Sequence, residues 1–300
     1  MSDGQSRAVG GDARSRAAFE RLLGTLRPKL HRYCARMTGS VIDGEDVLQE
    51  AIVKALQAYD ETVENPEAWL LRIAHNAALD HLRRKARQEA AHGDEALDMI
   101  PDRSDAEARM ATAASLRTFM RLPAAQRSSV ILMDVLGYSL DEMRGATDMT
   151  IPAIKASLHR GRARLRDIAR EPDDRPLPAL GERERSLLAA YVDRFNARDF
   201  DAVRDMLAEE VRLELVGRAR FAGRGEVARY FTNYSKATDW RLTLGFVDGY
   251  PALLVHDPAK ASPRPSYFVL LAFDGDRVTA IRDFRHARYC AEEAEVVELT

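Results

Sequence analysis

The stretch LPAAQRSSVILMDVLGYSLDEMRGATDMTIPAIKASLHRGRARL (Leu122–Leu165) decides how this 300-residue chain is read. Gly137 stands where a helix running from about Pro123 to Leu136 should end. Ser139-Leu-Asp-Glu142 is an S-x-x-E capping box that starts a short helix. A turn at Gly145–Asp148 follows, and Thr150 with Pro152 two residues on opens another helix. Helix, tight turn and helix at this spacing predict a helix-turn-helix. At about 100° per residue, Ile154, Leu158, Gly161, Leu165 and Ile168 share one stripe of the last helix. Lys155, His159, Arg162 and Arg166 share a second, with Ala156 and Arg160 further round. The first stripe suits burial. The second suits DNA, because a small side chain leaves access to base edges and guanidinium groups reach phosphates. A solvated basic helix is the plain alternative. The cap, the turn and the preceding helix together favour DNA binding.

The rest of the chain frames that segment. Net charge is −2 overall, yet residues 113–170 carry +5 and lie between 91–112 at −4 and 171–183 at −2. One short segment is therefore basic between two acidic stretches, a pattern that the average conceals. The longest uninterrupted apolar run is Tyr267–Phe273, which is too short for a membrane span. The first 25 residues lack the apolar core of a secretory signal. Cys34 and Cys290 are the only cysteines and have no CxxC spacing, which fits a reducing cytoplasm and disfavours a disulfide framework.

Composition and periodicity divide the chain. Residues 1–15 read as a disordered leader. A first helical block spans 16–88. Asp43 is the expected cap of a helix whose apolar positions Val47, Leu48, Ala51, Ile52, Ala55, Leu56 and Tyr59 recur at helical spacing. Asn65-Pro66 opens the next helix, which ends in Arg83-Arg84-Lys85. Trp69 sits at core spacing within it. An acidic linker occupies 89–112, a second helical block 113–170, and a Pro-rich acidic linker 171–183. From 184 to 300 the period alternates between helical and strand-like. Helices are expected at Ser186–Asn196, Phe200–Leu207 and about Gly225–Tyr234, and strands at Val211–Leu215, Arg241–Val247, Ala252–Val255, Tyr267–Phe273 and Val278–Phe284. The fold class is therefore multi-domain, with two all-α modules followed by an α+β domain.

The segments LHRYCARMTGSVIDGEDVLQEAIVKAL (Leu30–Leu56) and NPEAWLLRIAHNAALDHLRR (Asn65–Arg84) resemble region 2 of extracytoplasmic-function (ECF) sigma factors of the sigma-70 superfamily. Leu122–Leu165 resembles their region 4. The matches cover about half the chain in the right order, and the D-x-E-D-x-x-Q-E and A-W-L-x-R-I-A-x-N-x-A-x-D patterns are specific. The resemblance implies a dissociable subunit of bacterial core RNA polymerase, whose region 2 holds the polymerase clamp and melts the −10 element of promoter DNA, while region 4 reads the −35 element. It assigns polymerase binding to Asp43, Glu45, Asp46, Gln49 and Glu50. It assigns −10 contacts to Asn76, Asp80, Arg83 and Arg84, with the loop Glu61–Glu67 ahead of them. Lys155, Ala156, His159 and Arg160 would read −35 bases, and Arg162 and Arg164 would hold phosphates. His75 departs from the residue more often found before that asparagine.

The stretches LLAAYVDRFNARDFDAVRDMLAEEVRLEL, FAGRGEVARYF, VDGYPALLVHD and FVLLAFDGDRVTAIRDFRHARY resemble a SnoaL-like domain, a cone of helices against a curved sheet. Tyr191, Tyr230, Trp240 and Asp283 are the candidate pocket residues, and no spacing singles out a base-plus-donor pair. Asp193, His256 and His286 are further polar residues available to such a pocket. Asp283 alternates with Ile281 along a strand and is placed to pair with Arg282 or Arg285. The expected role of this domain is to modulate the sigma factor by intramolecular contact with regions 2 and 4, with a small-molecule ligand as a further candidate partner. No catalytic residue, metal site or cofactor is expected, and the protein is read as cytoplasmic and non-membrane. Two other readings stay open. One is a helix-turn-helix regulator with a ligand-sensing SnoaL-like domain, and the other is an isomerase or cyclase activity in the tail.

Overall fold

A computed structural model describes residues 3–89, 114–171 and 178–299. It divides into two compact units, Met1–Asp173 and Asp174–Thr300. Most of the two expected linkers, 89–112 and 171–183, lies outside the described residues.

The first unit is helical. Helix α1 spans Asp3–Thr38, α2 Val41–Ala58 and α3 Pro66–Glu89. After them come α4 (Leu116–Met120), α5 (Ala124–Val130), α6 (Leu140–Ala146) and α7 (Ile151–Ile168). Helix α5 runs on through a π-helical turn at Ile131–Val135 before Gly137 (φ +74°) ends it.

Two sequence expectations are corrected here. Residues 3–15, expected as a disordered leader, continue α1. Once the packed turns below them are formed, each further residue adds a hydrogen bond without a new nucleation cost. The cap of α2 is Ser40 and not Asp43: its hydroxyl accepts from the backbone N–H groups of Ile42 and Asp43. The helix therefore starts three residues earlier than Asp43 would allow.

The two helical blocks do not form separate cores. Phe19, Leu23, Tyr33, Met37 and Leu48 of the first and Phe119, Leu122, Val130, Tyr138 and Ile154 of the second belong to one buried cluster. Trp69 lies against this core with Phe19 and Tyr59, as its spacing predicts. Gly44 is required by the close crossing of α1 and α2, since a Cβ there would stand 2.5 Å from the Ala35 backbone.

The second unit is α+β. Helices α8 (Glu182–Asn196), α9 (Phe200–Asp205) and α10 (Arg224–Lys236) accompany strands β1 (Leu207–Leu215), β2 (Ala219–Ala222), β3 (Arg241–Val247), β4 (Tyr250–His256), β5 (Tyr267–Asp274) and β6 (Arg277–Asp283). A short α11 (Tyr289–Glu293) and β7 (Val296–Glu298) complete it. The seven-stranded sheet has the order β2-β1-β6-β5-β4-β3-β7. Only β1 with β6 is a parallel pair; the remaining neighbours are antiparallel. The β3–β4 hairpin turns through Asp248 and Gly249, both at positive φ, as a two-residue Asp-Gly loop demands. One sheet face sends Leu213, Leu253, Val255, Tyr267, Val269 and Ile281 into a core closed by Leu188, Phe195, Val227 and Phe231 of the helices. This is the fold class the sequence predicts, a helical portion followed by an α+β domain.

Candidate nucleic-acid interface and buried carboxylate cluster

Helix α3 carries a row of exposed polar side chains. Asn76, Asp80, Arg83 and Arg84 are all exposed, while Leu70, Leu71, Ala74, Ala77 and Ala78 fill the core on the opposite side. The row is amphipathic patterning made concrete, because positions three or four apart share a face. Arg83 pairs with Asp80 at 3.1 Å. Arg84 crosses to α2 and pairs with Glu50 at 2.9 Å.

On α2 the five residues expected to bind polymerase separate into two groups. Asp43, Asp46, Gln49 and Glu50 lie on the outward face. Glu45 is fully buried and ion-paired with Arg27, so it braces α1 against α2 and presents nothing to a partner. Lys54 and Arg84 hold the Glu50 carboxyl below its ordinary pKa.

In the helix-turn-helix the capping box forms in full, with Ser139 Oγ accepting from Glu142 N–H and the Glu142 carboxylate accepting from Ser139 N–H. Thr150 caps α7 through Ala153 N–H. Ile154, Leu158, Gly161, Leu165 and Ile168 are buried as the wheel predicts. A Cβ at Gly161 would meet Val130, so α5 and α7 cross closely at this point. Lys155 and Arg164 are exposed, and Ala156, His159 and Arg160 are half-buried along the same helix. Arg162 differs from expectation. Its guanidinium makes a two-pronged bond to Asp134 at 2.9 and 2.5 Å, and that carboxylate is almost wholly buried in the π turn. Bidentate pairing at a buried carboxylate makes Arg162 a brace between α5 and α7.

The four candidate pocket residues of the sheet unit do not all meet. Asp283 is fully buried at the end of β6 and accepts hydrogen bonds from the hydroxyls of Tyr230 and Tyr234, each 2.7 Å from Oδ2, and from Arg285 N–H at 2.7 Å on Oδ1. Burial pushes the Asp283 carboxyl above its ordinary pKa, and the tyrosine bonds oppose this. Tyr191 lies within electrostatic reach of Asp283, and its buried hydroxyl has no partner among the described residues. Trp240 stands apart in the aromatic core, donating its indole N–H to the Tyr234 carbonyl and packing on Phe195. Arg285 meets the Asp283 side chain through its backbone N–H, while both guanidinium groups bond elsewhere. Arg282 goes to Glu214, and the Arg285 guanidinium goes to Asp239 and the Tyr267 hydroxyl. Beside Tyr230 a cavity of about 140 Å³ opens between α10 and the β1–β2 hairpin, walled by Leu213, Leu215 and Phe221 and rimmed by Glu226, Arg229 and Asn233. Tyr234, Tyr267, Arg285 and Asp239 were not among the candidate pocket residues. The helical i, i+4 spacing of Tyr230 and Tyr234 is the one signal that could have added Tyr234.

These elements define a helical portion that carries a helix-turn-helix, followed in sequence by an α+β domain. Residues 22–88 match the sigma-70 region 2 family. The chain is 34% identical over 163 residues to the ECF RNA polymerase sigma factor SigM of Mycobacterium tuberculosis, covering 52% of this chain and 78% of SigM. Against SigG of the same species it is 28% identical over 217 residues, covering 63% of this chain and 59% of SigG. The crystal structure of the M. tuberculosis ECF sigma factor SigJ aligns over 86% of this chain and 93% of its own length, with 20% identity and a TM-score of 0.35. The chain belongs to the ECF RNA polymerase sigma factors. It spans about three fifths of SigG and more than three quarters of SigM. No described helix is long and apolar enough to cross a membrane.

Proposed function

We propose that this chain directs bacterial core RNA polymerase to promoters, with residues 16–88 as region 2, 113–170 as region 4 and 184–300 as a regulatory SnoaL-like domain, joined by the linkers 89–112 and 171–183. The observation that carries the reading is the pair of helix faces, exposed on α3 and partly exposed on α7, in one unit. Asn76, Asp80, Arg83 and Arg84 on α3 are offered to the −10 element, and Lys155, Ala156, His159, Arg160 and Arg164 on α7 to the −35 element. Extracting a base from a duplex costs a few kcal/mol, so a −10 reader needs such a polar row to return it. Asp43, Asp46, Gln49 and Glu50 form the surface offered to the polymerase clamp. Such a protein works in the cytoplasm and takes no catalytic role of its own.

The tail acts, in this reading, by docking on regions 2 and 4. Tethering makes even a weak contact effective, because the local concentration is of the order of millimolar. A second reading, that the tail senses a small molecule, is favoured by the cavity beside Tyr230.

Run-off transcription with core polymerase on a promoter library tests the assignment. Specific transcripts from the full chain, lost with Asn76→Ala or Lys155→Ala, are the expected result. A transcript pattern identical to that of core enzyme alone would overturn it. Residues 1–183 compared with 1–300 give the sign of the tail's effect.

A further inference from the structure

One end of the sheet unit gathers positive charge in a domain that is acidic on balance. Residues 184–300 carry 17 basic and 19 acidic groups. Yet 212–220 and 282–288, brought together where β1 runs beside β6, hold six arginines against Glu214 and the buried Asp283.

Two turns fix the centre of this patch. Between β1 and β2 the Arg218 N–H closes onto the Leu215 carbonyl at 2.8 Å, with Gly217 at φ +75° in the turn position that favours glycine. Val216 N–H donates to the Asp283 carbonyl at 3.0 Å and ties this turn to the end of β6. A second turn follows β6, closed by Ala287 N–H on the Phe284 carbonyl at 2.9 Å, and carries His286. Arg218 Nη1 thereby comes within 3.4 Å of Nδ1 and 3.3 Å of Nε2 of His286. Both residues are exposed, and neither has a carboxylate partner among the described residues. Asp239, the nearest acid on this side, bonds Arg285 at 2.9 Å and lies 4.0 Å from Arg288.

Even oppositely charged side chains gain little when exposed, and holding two of them together costs rotamer freedom. Stability alone therefore gives little reason for a guanidinium to rest on an exposed imidazole. Partial burial, then Arg218, and after it Arg285 and Arg288, hold the His286 pKa below its ordinary value, against the pull of the Asp283 carboxyl. The imidazole is neutral at pH 7 and has a proton still to take.

We propose that Arg218 and His286, with Arg288 beside them, form a phosphate-binding site on the sheet unit. The guanidinium offers parallel N–H donors to two phosphate oxygens, and the imidazole, protonated from solvent, donates to a third. A dianion here offsets the repulsion among the cations, so it raises the His286 pKa and its binding takes up a proton. Affinity then rises as pH falls through the His286 pKa of the occupied site, and levels off below that of the free one. The phosphate group is borne by a small soluble phosphate or by a nucleic-acid backbone. The site lies wholly in the sheet unit and depends neither on the cavity beside Tyr230 nor on the sigma-factor reading.

The experiment uses the full chain with labelled histidine, followed by NMR, the His286 ring signal being assigned by its loss in His286→Gln. Sulfate, whose charge stays constant over the range, and inorganic diphosphate are the probes. Both should move the His286 signal and raise its titration midpoint, and sulfate should bind about ten-fold tighter near pH 5.5 than near pH 7.5. Arg218→Ala, at an exposed turn position, should weaken binding about ten-fold, and Arg218→Lys, which keeps the charge without the fork, should fall between. Arg194→Ala, an exposed arginine elsewhere in the domain, should change nothing. A His286 signal that ignores both probes, that moves as far in Arg218→Ala, or that moves as far with chloride at equal ionic strength overturns the site. Duplex DNA moving the signal at micromolar concentration, where diphosphate needs millimolar, assigns the phosphate to nucleic acid. The reverse order assigns it to a small phosphate.

Discussion

Replacing Asp283 should separate two roles of a buried carboxylate, acceptor and charge. Asp283→Ala removes the acceptor for Tyr230, Tyr234 and the Arg285 N–H together. Each buried donor left unpaired costs about 1–3 kcal/mol, so the three together should cost the sheet unit roughly 3–6 kcal/mol, allowing for relaxation and water entry. Asp283→Asn keeps the shape and one carbonyl acceptor, and tyrosine hydroxyls can turn to accept from its amide, so its cost at neutral pH should be about 1–2 kcal/mol. Charge shows in the pH dependence. The folded-state pKa of Asp283 is raised by burial. The native state therefore binds a proton that the unfolded chain has already released, and the contribution is present in full below about pH 3.9 and is lost as pH rises through the folded pKa. Asp283→Asn should lose that downward slope. The assay is urea unfolding followed by Trp240 fluorescence in a Trp69→Phe background, because Trp240 packs in the same core as Tyr234 while Trp69 reports on the helical unit. An Asp283→Ala midpoint within about 1 kcal/mol of wild type would refute the acceptor argument. Parallel pH profiles for wild type and Asp283→Asn would refute the charge argument.

Four further outcomes follow from the helical unit. Gly44→Ala drives a Cβ to 2.5 Å from the Ala35 backbone, which cannot yield as a side chain could, so circular dichroism melts should show a loss of about 2–3 kcal/mol or more. Ser139→Ala removes the capping box of α6 and should cost about 1 kcal/mol in the same assay, with Ser139→Asp restoring most of it. His75 is buried against Tyr33, and burial lowers its pKa to about 4. Its contribution is present above the unfolded value near 6.5 and lost as pH falls through 4, so acid titration should destabilise wild type over that window more than His75→Gln. Glu50→Gln should leave folding intact and raise the isolated chain's affinity for DNA by a few-fold at most, read by fluorescence anisotropy, because the Glu50–Arg84 pair is only half-buried.

Much of this was legible in the residues. The helix-turn-helix could be placed because its caps and its Ile154–Ile168 stripe are local signals, and strand β3 because its turn and alternation are local too. Motif matching marked Glu45 and Arg162 as interface residues without showing their internal ion-pair partners. A motif records residue type and spacing, whereas Arg27 and Asp134, the partners that turn these side chains inward, lie 18 and 28 positions away in sequence. The union of both helical blocks in one core was hidden similarly. Leu122 and Val130 read as their own module's apolar face, and only the fold shows that α1 completes it. Edge strands β2 and β7, of four and three residues, are too short for alternation to register. Asp283 was visible as a polar residue in an apolar strand, but its acceptor role depends on two tyrosines from a distant helix.

The internal pairs also bear on why a sigma factor of this shape would read DNA only in company. Glu50, on the surface proposed for the polymerase clamp, holds Arg84, on the row proposed for the −10 element. Asp43, on the same clamp surface, holds Lys85 at 3.5 Å one residue further along α3. Each cation is partly neutralised by a carboxylate that a polymerase partner would engage with its own basic groups. Binding the clamp would then unload both cations towards DNA. Since both pairs are exposed or half-exposed, each lock is weak on its own, and the gain would come from removing two small competitors rather than breaking one strong bond.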